Sequence, residues 1–424
     1  MQYLKKILKN GSRVILAPNS NTETVTVQIL VEAGSKYENA KNNGISHFLE
    51  HMLFKGTKKR PLARTITEEI DGVGGEFDAF TSKEQTSYLV KVPKQHLALA
   101  LDIVSDIYLN STFKQEEIDK ERGVILQEIA MYEDMPMRHI WDVFENLVYG
   151  NQPAGWDIAG TIENVSRFKR KDFLEYFKNF YISQSTVIVV AGNFNQEKVL
   201  EKIKIYFEKI KKSSRKIDKL KTAHNQKRSQ LRIYAKETDQ THLILGVNSV
   251  DMFNEDRYAT NLLATILGGG TSSRMFNELR EKRGLTYYVN TEADQSTDTG
   301  YFFASAGVKH ENLEKTISLI LKEFKKTTQK KVPEKEINKA KEYLKGKALM
   351  ALESSSAVAS YLGNQELFRK EIKKPVEIFK KIDAVTANDL MRIAKNIFKD
   401  ENLNLAIIGP HQNNKNLDKY LTFH

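Results

Sequence analysis

GISHFLEHMLFKG, residues 44–56, reads at a helical period. Ile45, Phe48, Leu49, Met52 and Leu53 make one apolar stripe, and His47, Glu50 and His51 gather on the opposite side. Two histidines four residues apart stand one above the other on a helix. Both imidazoles can then reach one metal ion, with the Glu50 carboxylate beside it, and zinc is the ion such a donor set suits best. A hydrogen-bonded structural histidine is the plainer explanation of any one imidazole. With nine histidines in 424 residues, however, H-x-x-E-H arises by chance in roughly one such chain in a hundred. The stripe also assigns burial to the other face, so the metal site is the reading taken.

The length suits two domains, each able to bury a core. There is no cysteine, which removes disulfide and thiol chemistry, favours a reducing compartment and leaves histidine and carboxylate as the zinc donors. The net charge of +11 is spread along lysine-rich helices and is not gathered with aromatics, so it reads as a solvated basic surface and not a nucleic-acid site. The first twenty residues hold no long apolar run, and no stretch approaches membrane-spanning length. A soluble, unexported, cytoplasmic protein with neither a membrane nor a nucleic acid as partner is expected.

Outward from the histidine helix, residues 14–17 and 24–33 read as strands and 63–73 as a helix ending at Gly74 and Gly75. EFDAFTSKEQTSYLVKV, 76–92, reads as a strand pair, and 96–109 and 113–132 as helices. On the second of these, Glu121 and Glu128 are two turns apart and share a face; either could reach a metal. A Pro/Gly loop at 152–160 and a buried-type strand at 186–191 follow. KKSSRKIDKLKTAHNQKR, 211–228, is basic with little periodic apolar content. The expected division is therefore a domain at 1–210, a linker at 211–229 and a second domain at 230–424.

After the linker the first pattern returns: a strand at 243–247, a helix ending in LGGGT, two strands rich in Tyr, Thr and Phe, further helices, and a strand at 403–408. One offset of 214 (263 − 49) lays Leu263, Leu267, Gly270 and Thr271 over Leu49, Leu53, Gly56 and Thr57, and sets Asn261, Ala264 and Thr265 against His47, Glu50 and His51. An offset of 219 (340 − 121) sets Ala340 and Lys347 against Glu121 and Glu128. The second half reads as a duplicate that kept the scaffold and lost the metal chemistry.

GISHFLEHMLFKGT and its surroundings resemble the pitrilysin/insulinase family of zinc peptidases over nearly the whole chain, closest to the bacterial and mitochondrial processing-peptidase branch. H-x-x-E-H is that family's inverted zinc motif. The resemblance implies an α+β fold of two similar domains, each a mostly antiparallel sheet covered by helices, in a clamshell-type assembly around a chamber. It makes His47, His51 and Glu128 the ligands of one Zn2+ per chain, with Glu121 supporting the site from behind. GGEFDAFTSKEQTSYLV, from Gly74, looks like the family's active-site edge strand, so Phe77, Asp78, Ala79, Phe80 and Thr81 are expected to bind substrate; many relatives have Asn where this chain has Asp78. The family's Arg-Tyr pair falls on Arg280 and Tyr287. QPAGWDIAGT, from Gln152, keeps the Pro, Gly and Gly-Thr of a family loop, and no function is assigned to it.

The implied activity is zinc-dependent endopeptidase cleavage of extended peptides or of unfolded or presequence segments, with Glu50 as general base on a zinc-activated water and Arg280 and Tyr287 as donors. Two other readings are a non-catalytic scaffold, as in relatives within respiratory complexes, and one subunit of a heterodimer. The intact triad argues against the first. The presence of both the triad and the Arg-Tyr pair argues for a self-sufficient homodimer whose active sites are shared between subunits.

Overall fold

The computed structural model describes residues 2–213, 218–411 and 417–423. Among these, β1 (Leu4–Ile7), β2 (Arg13–Pro18), β3 (Thr24–Val31), β4 (Glu76–Thr81), β5 (Thr86–Pro93) and β6 (Thr186–Gly192) form one sheet, in the order β1-β2-β6-β3-β5-β4. Strands β7 (Gln230–Ala235), β8 (Thr241–Ser249), β9 (Thr286–Gln295), β10 (Gly300–Val308) and β11 (Leu403–Gly409) form the other, ordered β7-β11-β8-β10-β9. Each sheet is antiparallel except for one pair, β2 with β6 and β7 with β11. The second order repeats the first from β2 onward, strand for strand, with the parallel pair in the same place.

The helices that build on these sheets include, in chain order, α1 (Ile45–Leu53), α2 (Leu97–Asn110), α3 (Gln115–Asp134), α4 (Pro136–Tyr149), α5 (Arg257–Gly268), α6 (Leu313–Gln329), α7 (Glu334–Ala351) and α8 (Ser355–Arg369). The repeat read from the sequence extends to them. Helix α5 contains the positions that match α1 at an offset of 214, and α7 begins 219 residues after α3 (334 − 115). The edge strand β1, LKKI, was not foreseen; its two lysines and Ile7 are exposed, and it is too short to show a period.

Compactness divides the chain differently from its order. One unit comprises Met1–Ile129, Asp157–Leu220 and Leu349–Lys374, and the other Ala130–Trp156, Lys221–Ala348 and Pro375–His424. Consecutive domains at 1–210 and 230–424 leave out this exchange, in which α4 joins the second unit and α8 the first. The cause lies in strands that need cover on both faces. In β6, Ile188 and Val190 face one core while Val187, Val189 and Ala191 face another that is completed by Ala359, Leu362 and Leu367 of α8. In β11, Leu403, Leu405 and Ile407 face the second unit's main core, and Ala406 and Ile408 meet Ile140, Val143 and Phe144 of α4. A strand buried on both faces reads as an unbroken apolar run, which is how both appear in the sequence. Ion pairing fixes α8 further: Glu366 meets Lys5 at 2.7 Å, and Arg13 donates to the Glu366 carbonyl at 2.8 Å.

Of the segment 211–229 read as a linker, residues 214–217 lie outside the described residues. The others hold no helix or strand, and the Thr222 and Ala223 amides donate to Asp298 and Gln152 of the second unit, each at 2.9 Å. Among the described residues, no helix is long and apolar enough to cross a membrane.

The 152–160 loop has a structural role at the start of α1. Gly44 (φ 99°) and Gly160 (φ 79°) press backbone on backbone: a Cβ on Gly160 would lie 2.5 Å from the Gly44 Cα, and one on Gly44 2.7 Å from the Ala159 carbonyl oxygen. Gly160→Ala is therefore expected to cost at least about 1–2 kcal/mol from the left-handed backbone alone. Gly123→Ala, in open space on α3, should instead stabilise by about 0.5–1 kcal/mol. Urea denaturation of the two variants checks the pair, and a Gly160→Ala protein at least as stable as the parent would show that the Gly44–Gly160 contact does not constrain the fold.

Candidate metal centre

Helix α1 is covered on both sides, with Glu50 and His51 half-buried. Its apolar stripe, Ile45, Phe48, Leu49, Met52 and Leu53, lies in the first unit's core, with the Phe48 ring 4.8 Å from that of Phe173. The expectation that the histidine face is the uncovered one is corrected here: His47 is buried as well, because α3 lies over that face. The start of α1 has no side-chain cap, since Gly44 stands at the N-cap. Buried Glu38 takes that place, accepting from the Gly44 and Ser46 amides at 2.8 Å each and from Asn43 Nδ2 at 3.0 Å. Burial pushes the Glu38 carboxyl up, and these hydrogen bonds pull against the shift. A carboxylate there also complements the helix dipole.

Helix α3 supplies both glutamates, in different roles. Glu121 belongs to the buried stripe that also carries Ile118, Ile125 and Ile129. Its Oε1 meets His51 Nδ1 at 2.8 Å, and its Oε2 meets Lys55 Nζ at 2.6 Å. A carboxylate flanked by an ammonium only accepts, so His51 Nδ1 carries the proton and Nε2 presents its lone pair. Glu128 Oε2 is 3.6 Å from both His47 Nε2 and His51 Nε2, and the three ligand atoms lie within 4.8 Å of one another. Two donors bound at about 2.0–2.1 Å to one tetrahedral zinc stand about 3.3–3.4 Å apart. The two Glu128–histidine distances lie close to that spacing, and the donor set is one that fits a zinc ion.

The electrostatics favour a cation. Burial, with the nearby His51, pushes the His47 imidazole down to about 4, so it is neutral and able to ligate. Burial opposes a charge on His51 too, but the Glu121 hydrogen bond and the carboxylates of Glu50, Glu121 and Glu128 outweigh it and raise that pKa. The same carboxylates favour a dication, which would take the lone pair in the proton's place. Burial raises the Glu50 carboxyl, against a hydrogen bond from Thr81 and the attraction of His51. Glu50 Oε2 is buried without a hydrogen-bond partner among the described residues, as is His47 Nδ1.

Strand β4 lies at the sheet edge, paired among the described residues only with β5. Thr81 reaches Glu50, Ala79 packs on the core beneath α1, and Phe77 lies against Phe54 at 5.3 Å between ring centroids. Asp78 and Phe80 alternate to the other face. Arg280 and Tyr287 belong to the second unit, where Arg280 Nη1 donates to the Tyr287 carbonyl at 2.6 Å and the Tyr287 ring is about half exposed. Arg280 sits in a π-turn (Phe276–Glu281), a distortion found at functional sites. Sequence reasoning missed Lys55 and Glu38. Lys55 is four residues beyond His51, on the same helical phase, and the uncapped Gly44 called for an acceptor; those were the available signals.

Residues 13–162 match the family described as Insulinase (Peptidase family M16), and residues 167–344 match its peptidase M16 inactive domain. An uncharacterized zinc protease of Rickettsia felis is 38% identical over 406 residues, 95% of this chain and 97% of that one. One of Bacillus subtilis is 34% identical, over 96% and 98% of the two chains. A protease of Helicobacter pylori, solved by crystallography, superposes with a TM-score of 0.90 at 26% identity, over 96% and 99% of the two chains. A Pseudomonas fluorescens structure described as a peptidase M16 inactive domain shares the fold, with a TM-score of 0.89 at 18% identity. Likeness to zinc proteases along almost the full length, and a donor set that fits the ion, place the chain in the pitrilysin/insulinase family of zinc peptidases.

Proposed function

We propose that this zinc peptidase is an endopeptidase that takes extended or unfolded polypeptide along β4. His47 and His51, through Nε2, and Glu128 would hold the zinc. When bound there, the ion supplies Lewis acidity, lowering the pKa of water at its open position to about 7 and polarising the scissile carbonyl. Glu121 and Lys55 orient His51 and keep its proton on Nδ1. Glu50 is the base: it takes a proton from the attacking water and returns it to the departing amine nitrogen. The observation that carries this reading is the unpartnered Oε2 of Glu50 beside three donors at zinc-ligand spacing. The free edge of β4, joined to Glu50 through Thr81, supports the strand-addition mode of substrate binding.

The working unit in this proposal is a homodimer enclosing a chamber, in a reducing, cytoplasmic setting. In family members with four domains in one chain, the zinc lies in the first and the Arg-Tyr pair in the last. This chain has two such units, so a second copy would bring its Arg280 and Tyr287 to each zinc. The tie from Arg280 to the Tyr287 carbonyl, with the Tyr287 ring exposed, is the geometry of a donor pair held ready for a partner.

Glu50→Gln is expected to lower peptide hydrolysis by about 10²–10⁴-fold while one zinc per chain remains by elemental analysis; His51→Ala and Glu128→Gln should lose zinc as well. Full zinc and normal turnover in Glu128→Gln would transfer the ligand role to Glu121. Because an added strand must offer free backbone groups, a denatured protein should be cut and its stably folded form spared; comparable digestion of the two on a gel would refute strand addition. Mixing Glu50→Gln chains with Arg280→Ala/Tyr287→Phe chains should regain activity, since a mixed dimer holds one complete site. Subunit exchange proved by tagged pull-down, with activity still missing, would end the shared-site proposal.

A further inference from the structure

The face of the first sheet turned away from α1 carries a groove of about 420 Å³, between β4–β5 and the start of α8. Its floor is a tied polar chain: buried Gln28 donates to Ser87 Oγ at 2.8 Å and accepts from Ser360 Oγ at 3.2 Å. Phe80 and Leu89 form the apolar wall, with Ala357 of α8 opposite and Asp78 at the rim. The Asp78 carboxylate accepts one hydrogen bond, from the Ala79 amide at 2.9 Å, and no cation pairs with it among the described residues. Glu76, at the same rim, is by contrast joined to Lys91 at 3.1 Å.

We infer that this groove is a specificity subsite for a lysine or arginine side chain of the bound polypeptide; the inference rests on substrate adding to β4 as proposed above. Side chains of an added strand alternate between the two faces of the sheet. Those beside Phe77 and Ala79 point toward α1 and the metal centre. Those between them, beside Asp78 and Phe80, point into the groove. An aliphatic stem lies against Phe80 and Leu89, and the cation at its end reaches the uncommitted Asp78 carboxylate at the rim, with the exposed Phe80 ring as a second attraction. The groove exists only because α8 crosses from the second half of the chain to form its far wall.

The test uses the zinc-loaded Glu50→Gln protein and fluorescent extended peptides in which one lysine or norleucine is moved through successive positions, read by anisotropy. Lysine should bind about threefold to fivefold more tightly than norleucine, the range of a partly exposed ion pair, and only at positions of one parity. Asp78→Asn should bring that ratio close to one, and Asp78→Lys should turn the preference to glutamate at the same positions. Ala357→Leu should weaken every long side chain there and leave alanine unchanged. Peptides that bind with no parity, or with a lysine preference unmoved by both Asp78 variants, overturn the subsite while strand addition stands. If no extended peptide binds at all, the proposed substrate mode fails and the subsite with it.

Discussion

Two imidazoles of α1 and three carboxylates share a space largely closed to water, and the placement of everything around them follows from that crowding. Uncompensated, such a group of buried polar atoms is costly. Glu121 is tied on both oxygens, to His51 and Lys55, whereas Glu128 Oε2 and the two Nε2 atoms converge on a common point. A dication at that point turns the remaining cost into attraction. The rigid parts are those that must not move: the start of α1 is fixed by Glu38 and by the Gly44–Gly160 contact, and Glu121 rides on the buried face of α3.

The second unit shows what the scaffold does without that charge. At the places of Glu50 and Glu121 it has buried Ala264 and Ala340, and at that of His51 it has Thr265, whose hydroxyl bonds back to the Asn261 carbonyl of its own helix at 2.9 Å. The strand order and parallel pair are the same. Packing thus specifies the architecture, and the metal centre is an addition that one copy carries. The second unit also carries Arg280 and Tyr287, on a π-turn and an edge strand.

Much of this was legible in the sequence, and for identifiable reasons. His47, Glu50 and His51 stand out because helical spacing and ligand chemistry coincide within five residues. The repeat is legible because apolar positions and glycines survive at a constant offset. Glu121 and Glu128 could not be ranked by spacing, since two turns separate them on one face; which of them meets Nδ1 and which faces both Nε2 atoms depends on how α3 crosses α1. Burial of the histidine face was hidden for the same reason, because its cover comes from residues some seventy positions on. The continuous apolar runs of β6 and β11 announced cover on two faces. No local pattern in α4 or α8 says which sheet it covers.

That crossing of helices has a consequence for how the molecule is made. Ribosomes deliver the chain from its N-terminus, and all three residues of the candidate metal centre have emerged once Glu128 is out. Yet the sheet that positions them stays bare on one face until α8 follows, more than two hundred residues later. During that interval Ile15, Leu30, Val187 and Val189 lack their apolar cover, a stretch in which nascent chains associate or recruit chaperones. The first unit is therefore encoded first and finished almost last, and a chain truncated at the midpoint would possess the whole candidate metal centre on a sheet left bare on one face.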